Sequence, residues 1–83
     1  MKTLGHRLKV ARVKRGLNQT QTVERLSDLG VKVTQSYLSK LENNVNEPSI
    51  GQLKMLAKIY GTTLNELAYT PEELKEMNGS SND

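Results

Sequence analysis

Helix-start signals recur at short intervals along this chain, and they restrict its fold more than any other feature. A capping residue followed three positions later by Gln or Glu satisfies two backbone N–H groups at the beginning of a helix. Because four start signals occur within 83 residues, the sequence predicts an all-α protein. The signals are Asn18 with Gln21, Ser49 with Gln52, Thr63 with Glu66, and the segment Thr70-Pro71-Glu72-Glu73, in which proline takes the first helical position.

Apolar residues at helical spacing agree with these signals. The predicted helices run from Thr3 to Arg15, from the Asn18 cap to about Leu29, from the Thr34 cap to Asn43-Asn44, from the Ser49 cap to Gly61, onward from the Thr63 cap, and from the Thr70 cap to Met77. The residues predicted to face the core are Leu4, Leu8, Ala11, Val23, Leu26, Leu38, Leu41, Ile50, Leu53, Leu56, Ala57, Tyr60, Leu64 and Leu67. Five main helices and a short sixth one must cross at steep angles around one small core, and residues 78–83 are predicted to be disordered.

Positive charge is concentrated in the first half of the chain. Residues 1–40 hold nine Lys or Arg against two acids, a net charge of +7, whereas residues 41–83 hold three against seven, a net charge of −4. A polyanion is therefore expected to meet the N-terminal half. Charge alone leaves open the alternative that the basic residues only keep the protein soluble.

Several classes of function are not expected from this composition. The chain has no Cys, which removes disulfides and thiolate chemistry, and its single histidine, His6, has no partner for a metal site. We find no Ser-His-Asp set, no Gly-rich phosphate loop and no membrane-length apolar run. The expectation is a cytoplasmic protein that is not an enzyme and needs no cofactor.

The segment from Thr34 to Asn43 carries the strongest functional signal. Read as a helix, it places Leu38 and Leu41 on one face. The rest of its surface carries polar, non-acidic side chains, which a DNA major groove accepts. An ordinary amphipathic surface helix with a solvated face is the alternative. The polar side chains are Gln35, Ser36, Ser39 and Lys40.

An ordered set of motifs resembles the Xre or phage-repressor (Cro/C1-type) helix-turn-helix family over about residues 4–68. The motifs are Leu8 and Arg12 followed by Gly16-Leu17-Asn18-Gln19, then Ser36-Tyr37-Leu38-Ser39-Lys40-Leu41-Glu42-Asn43, then Pro48-Ser49-Ile50, Leu56-Ala57 and Leu64-Asn65-Glu66-Leu67. The resemblance implies a compact, lambda-repressor-like fold of five helices that binds double-stranded DNA through the second and third. Residues 1–70 are then the DNA-binding domain, and residues 71–83 a short C-terminal helix and tail.

The resemblance also implies roles for individual residues. Arg12 and Glu42 match an ion pair that bridges the first and third helices near the DNA backbone. Tyr37 can either contact a phosphate or lie half-buried at the start of its helix. The implied base contacts are Gln35, Ser36, Ser39 and Lys40, and the implied phosphate contacts are Asn18, Gln19, Thr34, Tyr37 and Asn43.

Three features depart from the family pattern. Six residues separate Leu26 from Val33, so the turn between the second and third helices is enlarged. Thr22 takes a position where an apolar residue is usual, which is expected to weaken the core contact of the second helix. Asn44 replaces the usual glycine, and the neutral-to-acidic loop Val45-Asn46-Glu47 is expected to contact fewer phosphates.

The expected function is sequence-specific regulation of transcription, with a dimeric repressor reading an inverted repeat. The fifth helix and the Glu72–Met77 segment are expected to supply the dimer surface, with apolar contacts from Tyr69, Leu74 and Met77; if these residues cover the core instead, the free protein is a monomer. One rival is an antitoxin whose acidic C-terminal half engages a protein partner. The other is a protein-interaction module that does not bind DNA.

Overall fold

Five helices make up the part of the chain that the computed structural model describes, which is residues 3–69. No strand occurs within this range, so the all-α prediction is confirmed. The predicted sixth helix and disordered tail lie outside the described residues. The helices are α1 (Thr3–Lys14), α2 (Gln19–Asp28), α3 (Gln35–Glu42), α4 (Ile50–Tyr60) and α5 (Leu64–Ala68).

The predicted caps set the helix boundaries. Capping boxes begin α2, α4 and α5, at Asn18, Ser49 and Thr63 respectively, and the backbone N–H of Tyr37 donates to the Thr34 side chain at the start of α3. At the other end of α3, Asn44 adopts a left-handed conformation with φ of 61°. Asparagine tolerates this conformation better than other non-glycine residues, so it closes the helix where the family usually has glycine.

A leucine from each helix meets in the core. Leu8, Leu26, Leu38, Leu56 and Leu67 come from α1 to α5 in that order, and each is at most 2% exposed. Burying a leucine side chain contributes about 1.5–3 kcal/mol. The remaining buried hydrophobic residues, which surround these leucines, are Leu17, Leu41, Leu53, Ala57, Ile59 and Tyr60.

The prediction that Ile50 faces the core is wrong, because its side chain is 63% exposed. Ile50 shares a helical face with Leu53 and Ala57, but it is the first residue of α4. It lies three residues before Leu53, the first buried residue of α4. Ile59, which the predicted stripe omitted, is buried instead.

Thr22 is fully buried without an unsatisfied hydroxyl. Its Oγ1 donates to the backbone carbonyl of Asn18 at 3.0 Å. This bond one turn back along α2 compensates for burying a polar group. The threonine therefore fills a core position that the family usually gives to an apolar side chain.

The enlarged α2–α3 connection folds back against the end of α2. The backbone N–H of Val31 donates to the Leu26 carbonyl at 2.8 Å, and Gly30 supplies the positive φ of 86° that this reversal requires. Val31 and Val33 are half-buried and pack against the core. The extra residues thus lie at the C-terminal end of α2, and the N-terminal ends of α2 and α3 stay close together.

The closest approach of α1 to α3 yields a stability prediction. A Cβ added at Gly5 would lie 2.7 Å from the Leu41 carbonyl oxygen and still closer to that of Glu42, so Gly5→Ala must push the helices apart. We expect it to lower the free energy of unfolding by about 1–3 kcal/mol in urea denaturation. Gly51→Ala is the matched control, since its Cβ meets only the Ser49 Oγ at 3.9 Å. It should stabilise α4 by roughly 0.5–1 kcal/mol, and equal effects of the two substitutions would contradict the prediction.

Burial of Tyr60 predicts a loss of stability in alkali. Burial raises the pKa of its hydroxyl from 10.0 to about 12, and the neighbouring Thr22 hydroxyl partly offsets the shift. The folded state therefore holds this proton more tightly than the unfolded state. Its contribution, about 2–3 kcal/mol, is complete below pH 10 and disappears as the pH rises through 12. In urea denaturation across this pH range, the free energy of unfolding should fall less steeply with pH for Tyr60→Phe than for the Tyr37→Phe control.

Candidate nucleic-acid interface

A chain of side-chain hydrogen bonds joins the N-terminal ends of α2 and α3. The Gln35 Nε2 donates to Gln19 Oε1 at 3.3 Å, and the Thr20 hydroxyl donates to Gln35 Oε1 at 3.5 Å. Gln19 Nε2 in turn donates to Glu42 Oε1 at 3.1 Å. The amide of Gln35 is thereby held from two sides by residues of α2.

Glu42 anchors this chain through a buried ion pair with Arg12. The guanidinium contacts the carboxylate twice, from Nε to Oε2 at 2.7 Å and from Nη2 to Oε1 at 3.1 Å. The two side chains are 11% and 3% exposed, and Arg12 Nη1 also donates to the Leu17 carbonyl at 2.9 Å. The hydrogen bonds that Arg12 donates to Glu42 raise the pKa of its guanidinium. The pair joins α1, α3 and the connection that leads into α2.

The polar face of α3 is open to solvent and carries no exposed acid. Gln35, Ser36 and Lys40 are exposed and Ser39 is half-buried, whereas the only acid of this helix, Glu42, is buried in its ion pair. A face of this kind does not repel phosphate. The structure thus brings the four implied base contacts together on one surface.

Several residues implied to contact phosphates use their side chains to cap helices in this structure. The side-chain oxygens of Asn18 and Thr34 accept the backbone N–H groups that begin α2 and α3. Asn43 is exposed, and its Nδ2 donates to the Ser39 carbonyl at 2.9 Å. Together with Gln19, these residues border the α2–α3 surface.

Tyr37 is half-buried and links α3 to α4. Its hydroxyl donates to Gln52 Oε1 at 3.1 Å, and the same oxygen accepts the Ser49 backbone N–H at 3.0 Å. The capping-box signal located Gln52 in the sequence, but its contact with Tyr37 is tertiary. Thr20, which holds Gln35, was also missed, because a threonine at the second position of a helix carries no distinctive signal.

Two basic residues of the first half bond to other parts of the fold. Arg12 is buried with Glu42, and Arg7 donates to the carbonyls of Leu67 and Ala68 at 2.7 and 2.8 Å. The net charge of residues 1–40 is therefore not gathered on a single DNA-facing surface.

Residues 3–69 contain no group of His, Cys, Asp or Glu side chains arranged to hold a metal ion. Within the same range, no helix has both the length and the apolar character needed to cross a membrane.

Comparison with known proteins identifies one family. The model of a helix-turn-helix family matches residues 8–67. This range includes the ion pair and every residue implied to contact DNA. No curated protein and no solved structure matches the chain significantly.

Breaking the buried ion pair should destabilise the fold strongly. Glu42→Ala leaves the Arg12 charge buried without its partner, and we expect a loss of about 3–5 kcal/mol in the free energy of unfolding. Glu47→Ala, at an exposed acid in the α3–α4 connection, is the control and should change stability by about 0.5 kcal/mol or less. The double variant Arg12→Met with Glu42→Leu removes both charges and should recover much of the loss in urea denaturation. A Glu42→Ala variant as stable as Glu47→Ala would contradict the prediction.

Proposed function

This chain belongs to the Cro/C1-type helix-turn-helix family, whose members are DNA-binding regulators, and we propose that it is a transcriptional repressor that binds an inverted-repeat operator as a dimer. The observation that carries the proposal is the exposed, non-acidic face of α3, on which Gln35 is held by α2. On this proposal residues 1–70 are the DNA-binding domain and residues 71–83 a C-terminal extension. The protein is a regulator without an enzymatic role, and it acts on DNA in the cytoplasm.

Gln35 is proposed as the main base-reading residue. An amide carries two donor hydrogens on Nε2 and two acceptor lone pairs on Oε1, and Gln19 and Thr20 use one of each. The remaining donor and acceptor match N7 and N6 of adenine, a bidentate contact worth about 1–3 kcal/mol of discrimination. Because the amide is already oriented in the free protein, less side-chain entropy is lost on binding.

The other exposed residues of α3 complete the proposed reading surface. Lys40 can donate to O6 and N7 of guanine. Ser36 and Ser39 are short, so they permit close approach of the helix to base edges. Ser36, Ser39 and Lys40 thus extend the proposed contact beyond Gln35 along the major groove.

Phosphate contacts are proposed along the border of this surface. The N-terminus of α2 presents backbone N–H groups, and Asn18 and Gln19 lie at this end. Thr34 and Asn43 are the N-cap and the C-cap of α3, and each is proposed to contact a phosphate. A contact from the Tyr37 hydroxyl requires exchange of its present hydrogen bond to Gln52.

Dimer formation is proposed because one domain makes few contacts. An eight-residue helix is about 12 Å long and reaches only a few base pairs. Two domains reading half-sites about 34 Å apart, one turn of DNA, double the contact and mirror an inverted repeat. The proposed dimer surface is α5, at the end of which Tyr69 is 38% exposed.

Selection of bound DNA from a random pool tests this function directly. The expected result is enrichment of an inverted repeat whose half-sites are separated by one helical turn. Affinity for the enriched sequence should fall steeply as salt increases, because phosphate contacts release counterions. Failure to enrich any sequence, or binding that does not respond to salt, would overturn the proposal.

Substitution of the two glutamines tests the base-reading assignment. Gln35→Ala should relax the preference at one base pair of each half-site by about 1–3 kcal/mol. Gln19→Ala should weaken binding to all sequences and also reduce that preference, because it removes both a proposed phosphate contact and a support of Gln35. The double variant should then show less than additive loss of discrimination in competition binding.

Asn65→Ala, at an exposed residue of α5, is the control and should change neither affinity for a single half-site nor sequence preference. The residue assignments fail if Gln35→Ala and Gln19→Ala have identical effects on the selected sequence and on random DNA.

A further inference from the structure

An open groove of about 640 Å³ lies between α1 and the turn that joins α4 to α5. We name it the α1 groove. The residues that line it include Arg7, Lys14, Arg15, His6 and Val10. Glu66 is the single acid among the lining residues. The groove is therefore both apolar and positively charged.

The α1 groove lies on the side of α1 opposite the DNA-reading helix. Residues 5, 8 and 12 of α1 face inward, since Gly5 and Arg12 contact the end of α3 and Leu8 is in the core. Residues 7, 10 and 14 form a second helical stripe, about 200° around the helix from the first at 100° per residue. Cations on this second stripe cannot contact a duplex that lies on α3.

Two features of the groove favour a carboxylate ligand. The carboxylate of Glu66 is already bound by the Thr62 hydroxyl at 2.7 Å and the Thr63 N–H at 3.3 Å, so it competes weakly for the cations. Arg7 is held rigidly by its two bonds to the α5 carbonyls, and its buried Nη1 has no hydrogen-bond partner among the described residues. A guanidinium positioned by bonds to neutral carbonyls keeps its full charge and attracts carboxylates.

We propose that the chain's own C-terminal residues, 70–83, bind in the α1 groove. These residues lie outside the described part of the structure, and they carry four acids against one lysine. The described chain ends at Tyr69, directly after the two carbonyls that Arg7 binds, so the segment begins at the wall of the groove. Its acids are Glu72, Glu73, Glu76 and Asp83.

The segment is long enough to follow the groove. Arg7 and Lys14 are seven residues apart on α1, a distance of about 10 Å. Seven residues after Tyr69 reach Glu76, and they cover about 10 Å as a helix or more when extended. Leu74 and Met77 can then contact the apolar lining residues, such as Val10 and Ala11, while the glutamates pair with the cations.

Neutralising these cations has a consequence for DNA binding, and this consequence alone rests on the proposed function. With the α1 groove occupied, the positive potential that remains for a polyanion lies near α2 and α3. The C-terminal segment then suppresses non-specific binding of DNA to the opposite side of the domain.

A spin label at the C-terminus tests the proposal without DNA. The chain has no cysteine, so Ser81→Cys in the full chain creates a single attachment site. In isotope-labelled protein, the backbone amide signals of Arg7, Val10 and Lys14 should lose most of their intensity, while those of Ser36 and Lys40 keep theirs. Loss of intensity that centres on α3, or no loss anywhere, would overturn the proposal.

Mixing separates binding within one chain from binding between two copies. Spin-labelled chains without isotope are added to isotope-labelled chains without spin label. If the segment binds its own groove, the amide signals of the isotope-labelled chains stay unchanged at protein concentrations below those at which the chain dimerises. Broadening of the groove signals in this mixture would assign the segment to a second copy and overturn binding in cis.

Charge variants of the spin-labelled chain test the ion pairing. Glu72→Gln, Glu73→Gln and Glu76→Gln together should restore the groove signals, and so should Lys14→Gln with Arg15→Gln. Glu24→Gln with Glu47→Gln, at exposed acids remote from the groove, should leave the broadening intact. Lys14, Arg15, Glu24 and Glu47 are exposed, and the three C-terminal glutamates lie outside the described residues. Unchanged amide signals from α3 verify that each variant is folded. If the triple variant broadens the groove as before, the electrostatic basis of the proposal is wrong.

Discussion

The buried carboxylate of Glu42 is the interaction on which the arrangement of the helices depends. Taking it out of water costs several kcal/mol, and the structure offsets that cost with two bonds from Arg12 and one from Gln19. The three residues belong to α3, α1 and α2, so satisfying one charge determines how three helices meet. The same contact positions the end of α2 against which Gln35 is held.

This coupling makes stability and the proposed recognition of DNA parts of one network. Gln35 is exposed at the start of α3, yet it connects through Gln19 to a buried ion pair at the other end of the same helix. A substitution in the buried part can therefore alter the orientation of the exposed amide without contacting DNA. Unlike a lysine on a flexible stem, an amide fixed in this way presents its donor and acceptor in a defined direction.

The helices could be predicted because their boundaries rest on local chemistry. A cap such as Ser49 needs only a backbone N–H three residues ahead, and that geometry is present in any chain that forms the helix. Burial was predicted less well at the ends of elements. Ile50 lies on the correct face of α4, but its exposure depends on how far neighbouring helices extend, which no local pattern records.

The five helices, the polar non-acidic face of α3 and the family of the chain can all be predicted from the amino-acid sequence, since each is encoded by residues close together or by motifs in fixed order. The hydrogen bonds between distant polar side chains depend instead on how the helices pack. Thr20 contacts Gln35 across two helices, and Arg7 binds carbonyls 60 and 61 positions away in the chain. Such contacts arise from packing around the shared core, where separation along the chain no longer sets distance in space.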